Sequence, residues 1–257
     1  MYSFHIIKEV AKNQLAKLPL LRKISAIFHH NTGINGDPQL VQEIFVQYNR
    51  ITPVRGKRVL ELGPGHTYQL METALAQGAA KAAIIDINKQ IADEVIAKTG
   101  IEYTIYAGNA MPYPDESFDF IWSHTVYEHL RFPETTVKET FRVLTPGGVA
   151  LHHIDMRDHL ILDEANPNTF DMLKFSNRLW NRMSWNRSIY VNRLRLSHWI
   201  ELHNKAGFLV SVHETFTSKA AGEAYEKNSL PYLRRYSETD ATTSQVFLSI
   251  TKPVKAK

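Results

Sequence analysis

The sequence predicts an α/β protein built on a doubly wound parallel sheet, and three observations carry that prediction. From Lys57 to Ile154, short apolar runs alternate with segments whose apolar residues recur at helical spacing, the rhythm of strand–helix–strand units. The first run, Val59-Leu60-Glu61-Leu62, breaks directly into Gly63-Pro64-Gly65, a turn that lets backbone N–H groups approach a ligand closely. The next run ends on an acid, Asp86, about 20 residues further on, where a carboxylate suits a pair of ribose hydroxyls.

Residues 1–50 read as an N-terminal helical extension. Ile6, Ile7, Val10, Leu15, Leu18, Leu21, Ile24 and Ile27 are interspersed with Lys8, Lys12, Lys17, Arg22 and Lys23, which predicts one or two basic amphipathic helices broken near Pro19. Such a helix either packs on the rest of the chain or meets a membrane surface or a partner. Asn35-Gly36-Asp37-Pro38 forms a turn, with Asp37 capping a helix, Pro38 at its first position and Val41, Ile44, Phe45 and Tyr48 as its buried stripe. Residues 51–257 form the main domain. Its predicted elements are a strand at Arg58–Leu62, a helix at Gln69–Gln77 ended by Gly78, and a strand at Ala82–Asp86. A helix from Asn88 buries Ile91 and Val95 and stops at Gly100, and strands follow at Glu102–Ala107 and Phe118–Ser123. Pro133 opens a helix with Val137, Phe141 and Leu144 at helical spacing, and Val149–Ile154 is the fifth strand. Residues 155–196 interrupt the rhythm with Asn, Arg and the aromatics Phe170, Phe175, Trp180, Trp185 and Tyr190, and read as a lid-like insertion beyond the sheet's carboxyl edge. Ser197 then caps a helix through Trp199 and Leu202, closed by Gly207. Phe208–Thr215 and Gln245–Thr251 are the last strands, joined by a polar, partly helical segment, 217–242.

Composition narrows the class. A chain of 257 residues holds one α/β domain with appendages and a core that needs no staples. The absence of cysteine excludes disulfides, thiolate zinc sites and a cysteine nucleophile, and fits a reducing compartment. A net charge of +4 is mildly basic, short of a nucleic-acid-binding tract. No apolar run approaches the ~20 residues of a membrane span, and the start lacks the compact apolar core and small-residue cleavage site of a signal peptide, so a cytoplasmic protein is expected.

The glycine turn decides which nucleotide is expected. A dinucleotide fingerprint needs a third glycine where Tyr68 stands, which argues against NAD or FAD. Glu61-Leu62-Gly63-Pro64-Gly65 resembles motif I of class I methyltransferases, with Thr67 in place of that motif's last glycine. Gly108-Asn109-Ala110-Met111-Pro112-Tyr113-Pro114-Asp115-Glu116-Ser117-Phe118-Asp119 resembles the family's region before and into the fourth strand, and Leu144-Thr145-Pro146-Gly147-Gly148 its turn before the fifth. With these matches in family order, the chain is identified as a member of the class I S-adenosylmethionine-dependent methyltransferases, similar to their small-molecule type 11 group. The resemblance implies a Rossmann-like, seven-stranded sheet, mostly parallel with the last strand antiparallel and helices on both faces. It implies S-adenosylmethionine as cofactor and S-adenosylhomocysteine as product. Gly63, Pro64 and Gly65 would admit the methionine moiety, Glu61 its ammonium, and Asp86 the ribose hydroxyls. Ile87, Asn109, Ala110 and Met111 would meet the adenine, and Ser123 completes the cofactor set.

Transfer of a sulfonium methyl is an in-line displacement, and a hydroxyl or ammonium acceptor must also lose a proton, for which histidine is the commonest base. Two clusters sit at strand ends: Ser123-His124-Thr125-Val126-Tyr127-Glu128-His129 and His152-His153-Ile154-Asp155. Neighbours on a strand point to opposite faces, so one of His152 and His153 faces the crevice. His153 shares a face with Asp155, making a base and its orienting acid; His129 is the other catalytic candidate. His124, Glu128, His152, Arg157, Tyr190, Asn192 and Arg193 are the candidate acceptor contacts. Glu128-His129 also resembles the Glu-His step of ubiquinone-pathway O-methyltransferases and small-RNA 2′-O-methyltransferases, which hold a divalent cation through Glu-x-x-Glu-His. Thr125 replaces the first Glu, so no metal is expected; were one bound, Glu128, His129 and His153 or His152 would be its ligands. The reading is methyl transfer to oxygen or nitrogen of a small polar metabolite, sugar or natural-product intermediate. Two alternatives stay open. One is an RNA methyltransferase, favoured by Arg193, Arg195, Arg234 and Arg235 with Tyr232 and Tyr236 but lacking the Asn-Pro-Pro-Tyr-type tetrapeptide, where Ser123-His124-Thr125-Val126 stands. The other is a non-catalytic protein that binds S-adenosylmethionine.

Overall fold

Among the described residues two helices precede the sheet, α1 (Tyr2–Leu15) and α2 (Pro38–Ile51). Asp37 accepts from the Gln39 N–H at 3.0 Å with Pro38 at the first helical position, so the predicted cap forms. The computed structural model describes residues 2–18, 37–160 and 170–254; the expected break at Pro19 and turn at Asn35-Gly36 lie outside them. The sheet then runs β1 (Arg58–Leu62), α3 (Gln69–Ala76), β2 (Lys81–Asp86), α4 (Asp93–Ile96), β3 (Glu102–Ile105) and β4 (Phe118–His124). It continues through α5 (Pro133–Val143), β5 (Leu144–Asp155), α6 (Asn177–Ser184), α7 (Leu196–Lys205), β6 (Leu209–Thr217), α8 (Lys219–Glu226), α9 (Glu238–Thr242) and β7 (Thr243–Thr251). Single 3-10 turns occupy Tyr127–His129, Asp171–Lys174 and Pro231–Arg235.

The seven strands lie in the order β3-β2-β1-β4-β5-β7-β6. β1 to β5 pair in parallel, and β7 is antiparallel to both of its neighbours. The order reverses between β1 and β4, which opens the crevice at their carboxyl ends where open α/β sheets bind ligands. Strand periodicity divides the core. Leu60, Ala83, Ile121, Ala150 and Leu248 face α5 and α7, whereas Val59, Ile84, Trp122, Leu151 and Phe247 face α2 and α3. Because Val41, Ile44, Phe45 and Tyr48 pack into the second layer, α2 belongs to the same core as the sheet.

A third core lies outside these layers. Phe170, Met172, Trp180, Met183 and Tyr190 of the insertion after β5 pack with Ala221, Ala224, Leu233 and Ala241 of the β6–β7 connection. The aromatics of the lid-like insertion are mainly the interior of this helical layer. Two further corrections concern helices. The segment after β2 is helical only at Asp93–Ile96, and Val95 is exposed while Ile91 and Ile96 are buried. Tyr103 Oη accepts from Gln90 N at 3.0 Å and donates to Asn88 O at 3.2 Å, holding that stretch out of helical geometry. At α7, Arg195 rather than Ser197 occupies the N-cap, since the Asp240 carboxylate takes both Ser197 N (2.9 Å) and Ser197 Oγ (2.5 Å). Among the described residues, no helix is long and apolar enough to cross a membrane.

Candidate active site

Register assembles the site on one face of the sheet. Ile84, Glu61, Trp122 and Leu151 lie side by side across β2, β1, β4 and β5. One row nearer the carboxyl ends, the same parity brings Asp86, His124 and His153 to that face, with Gly63 between the first two continuing the ladder through its N–H to Ile85 O. Asp155 follows two residues after His153.

On the β1–β2 side, Gly63 and Gly65 have φ of 65° and 66°, a left-handed geometry that glycine adopts without strain. A Cβ on Gly63 would stand 2.8 Å from the Val126 side chain, so the loop after β1 touches the loop after β4 with no room for a larger residue. Glu61 is buried and its Oε2 makes no hydrogen bond. Burial pushes this carboxyl up to about 8, with Trp122 pulling against the shift and Asp86 adding to it. Asp86 accepts from Asn88 N at 2.9 Å. Burial raises its pKa too, opposed by the N–H groups of Asn88, Ile87 and Gly65. Ile87 is an exposed hydrophobic side chain facing Gly108, beside the exposed Asn109 and Ala110. Pro64 is buried. Met111 and Ser123 point elsewhere: Met111 is in the core beneath α5, and Ser123 is fully buried with its Oγ 2.8 Å from His152 Nδ1.

The β4–β5 side carries the histidines. His124 and His153 stack with ring centroids 4.6 Å apart, and Tyr48 of α2 closes on them with its hydroxyl 3.0 Å from His124 Nδ1 and 3.1 Å from Ser123 O. Burial lowers His153, with the Asp155 charge working against it, and pushes His124 down to about 3. The expected His153–Asp155 hydrogen bond is not made. Arg157 takes the Asp155 carboxylate through Nε (2.9 and 3.0 Å) and Nη2 (2.5 Å), and His159 Nε2 lies 3.7 Å away. Burial would raise Asp155, but bonds from His159 and Arg157 outweigh it and hold the carboxyl well below its usual range. His152 faces the opposite side of the sheet, fully buried against Tyr127 at 3.9 Å between ring centroids. Parity thus leaves His153 as the member of the pair on the Asp86 face.

Glu128 is buried in the 3-10 turn that follows β4. Burial lifts its carboxyl well above the usual range; N–H groups of Glu128 and Asp155 oppose this, yet neither carboxyl oxygen makes a full hydrogen bond. His129 Nδ1 lies 2.6 Å from Tyr190 O, and since a carbonyl only accepts, Nδ1 carries the proton and Nε2 is the free lone pair. Burial pushes His129 down to about 4. Among the described residues, no three His, Asp or Glu side chains gather as a metal site, and Glu128, His129 and His153 do not converge.

Several predicted acceptor contacts hold backbone instead. Asn192 donates to Tyr127 O (2.7 Å) and Leu130 O (3.2 Å), and its N–H to Glu128 O (2.7 Å). Arg193 donates to Met172 O and Phe175 O, and Tyr190 is buried. Of the arginines that favoured RNA, Arg195 is wholly buried and Arg193 is held by the Met172 and Phe175 carbonyls, while Arg234 and Arg235 are exposed. Tyr48 is the residue that sequence reasoning missed. It lies at core spacing in α2, and its only signal is a hydroxyl on an otherwise apolar stripe.

A seven-stranded sheet in this order, with a glycine turn after β1 and acids at the ends of β1 and β2, defines the class I methyltransferase fold. Residues 60–152 match the methyltransferase-domain family Methyltransf_11. The chain is 36% identical over 77 residues to the uncharacterized protein MJ1123 of Methanocaldococcus jannaschii, covering 30% of this chain and 37% of that one. It is 30% identical over 107 residues to the methyltransferase GfsG of Streptomyces halstedii, 39% of this chain and 38% of that one. It therefore spans less than two fifths of the length of either curated relative. In fold it is similar to phosphoethanolamine N-methyltransferase 2 of Haemonchus contortus, solved with S-adenosylhomocysteine: TM-score 0.58, 18% identity, 89% of this chain and 58% of that one. The orphaned Glu61 oxygen, the crowded glycine turn and the Asp86 carboxylate fit such a cofactor's ammonium, backbone approach and ribose diol.

Proposed function

We propose that this protein transfers the methyl group of S-adenosylmethionine to an oxygen or nitrogen atom of a small polar acceptor: a metabolite, sugar or natural-product intermediate. The main support is the single-face row in which Asp86, with Glu61 one row behind, lies on one side of the crevice and the His124–His153 stack on the other. The cofactor supplies an electrophilic methyl on a sulfonium, so the methyl–sulfur bond breaks as the bond to the acceptor forms. Glu61, Gly63, Gly65, Asp86 and Ile87 hold and orient the cofactor. His153 takes the acceptor's proton. It is the better base because His124 and His129, pushed down to about 3 and about 4, hold protons weakly at neutral pH. Glu128 and Arg157 orient the acceptor, and residues 155–160 and 170–196 cover it, tied to the segment after β4 through Asn192, Tyr190 and Arg131. Incubation with labelled S-adenosylmethionine and a fractionated extract tests the activity. Cofactor binding without label transfer to any fraction would replace the enzyme reading with a binding protein.

His153→Ala is expected to lower turnover by about 10²- to 10⁴-fold while leaving cofactor affinity unchanged. Full activity in that variant would pass the base role to His129, whose Nε2 lone pair is left free by the bond to Tyr190 O.

Glu61 gives a pH signature. Its pKa rises from 4.5 to about 8 on folding, so the folded chain holds one more proton and stability falls as pH climbs through that window. An ammonium group brought to Glu61 favours the ionised carboxylate. Cofactor binding is therefore expected to release a proton below about pH 8 and to tighten as pH rises toward that value. Calorimetry in two buffers of different ionisation enthalpy measures the release, and Glu61→Gln should remove it. Equal apparent enthalpies in both buffers for the wild type would take the ammonium away from Glu61.

A further inference from the structure

The first 36 residues hold five Lys or Arg (Lys8, Lys12, Lys17, Arg22 and Lys23) and one acid, Glu9, so they carry the whole net charge of +4. The rest of the chain is neutral. Helix α1 shows how this charge is displayed. Its inner face docks on the insertion after β5: Glu9 pairs with Arg187, and Asn13 bonds Arg182 O (2.8 Å), Asn181 O (3.3 Å) and Asn186 N (2.8 Å). Ile6 and Val10 pack against the third core on the same side. The outer face is apolar. Phe4, Ile7, Ala11 and Leu15 recur at helical spacing opposite Glu9, and Leu18 extends the line into the following turn. Phe4 is 71% exposed and Ile7 66%. Lys8 and Lys12 follow one edge of this stripe.

From this arrangement we propose that α1 is a peripheral membrane-docking helix, whose apolar stripe enters the interface of an anionic bilayer while its lysines meet lipid headgroups. Charge complementarity selects this occupant. The segment's one carboxylate, Glu9, is turned inward against Arg187 and Lys12, so the face presented outward carries no acid: beside the apolar stripe it holds Lys8, His5 and Gln14. A narrow apolar stripe with a cationic edge suits an interfacial helix, and attraction to anionic lipid adds to apolar burial. With its inner face tied to Arg187 and Asn186, α1 holds the rest of the protein against the surface it binds.

Flotation of the full chain with vesicles tests this, using phosphatidylcholine alone or mixed with phosphatidylglycerol. Binding to the mixed vesicles alone is expected, weakening as salt rises. Lys8→Gln with Lys17→Gln should weaken it about 30-fold, and Phe4→Ser with Ile7→Ser should abolish it. These positions are exposed, so both variants should keep the wild-type melting temperature, which separates lost docking from lost folding. Absence of flotation, or equal flotation of wild type and both variants, would overturn the proposal. So would a concentration-dependent dimer in sedimentation velocity that Phe4→Ser with Ile7→Ser disperses, because a second copy would then cover the stripe.

Discussion

Asp86→Ala is expected to bind S-adenosylmethionine at least about 100-fold more weakly than the wild type, because two hydrogen bonds to an ionised acceptor are each worth about 1.5–3 kcal/mol. The carboxylate stands at the end of β2 in the row that leads through Gly63 to the histidines, and one of its oxygens is engaged by Asn88 N at 2.9 Å. That bond complicates the alanine variant, since losing it also loosens the turn after β2. Asp86→Asn separates the effects. Its amide oxygen can still accept from Asn88 N, but it offers one acceptor and no charge to a diol, so its affinity should fall between the other two with the melting temperature retained. Calorimetric affinity unchanged in both variants would move the cofactor away from this strand end.

Much of this site was legible because it lies where two regular signals meet. The alternation of strand and helix from Lys57 to Ile154 located the strand ends, the motif after the first strand pointed to Glu61 and Asp86, and the period of two put His153 and Asp155 on one face. Residues 155–196 were harder to read for a physical reason. An irregular segment leaves main-chain carbonyls that no ladder satisfies, and side chains must serve them. Arg131 donates to Trp185 O and Arg187 O, Asn192 to Tyr127 O and Leu130 O, and Arg193 to Met172 O and Phe175 O. In sequence, an arginine that holds its own backbone looks the same as one that holds a ligand. Tyr48 escaped notice for the opposite reason. Its position was read correctly as core, and only the fold shows that this part of the core reaches the His124 ring.

Arg195 gives the sharpest test of that distinction. Its guanidinium is fully buried and donates to Asp240 O (2.7 Å), Met156 O (2.8 Å) and Thr243 O, and it lies 4.4 Å from the centre of the Phe170 ring. Burial lowers its pKa to about 10, which still leaves it charged at neutral pH. Among the described residues no carboxylate pairs with it directly, and the three carbonyls and the ring face hold the cation. They join the end of β5, the start of β7 and α9, which is where the helical layer meets the sheet. Arg195→Met fills most of the space but strands the three acceptors. It is expected to cost about 3–5 kcal/mol, or a fall in Tm on the order of 10 °C. Arg195→Lys keeps the charge but cannot span the three carbonyls with a planar fork, so its loss should be intermediate. Were this cation instead reserved for an anionic acceptor, Arg195→Met would melt with the wild type and lose turnover alone. Thermal melts beside cofactor calorimetry separate these outcomes before the acceptor is known.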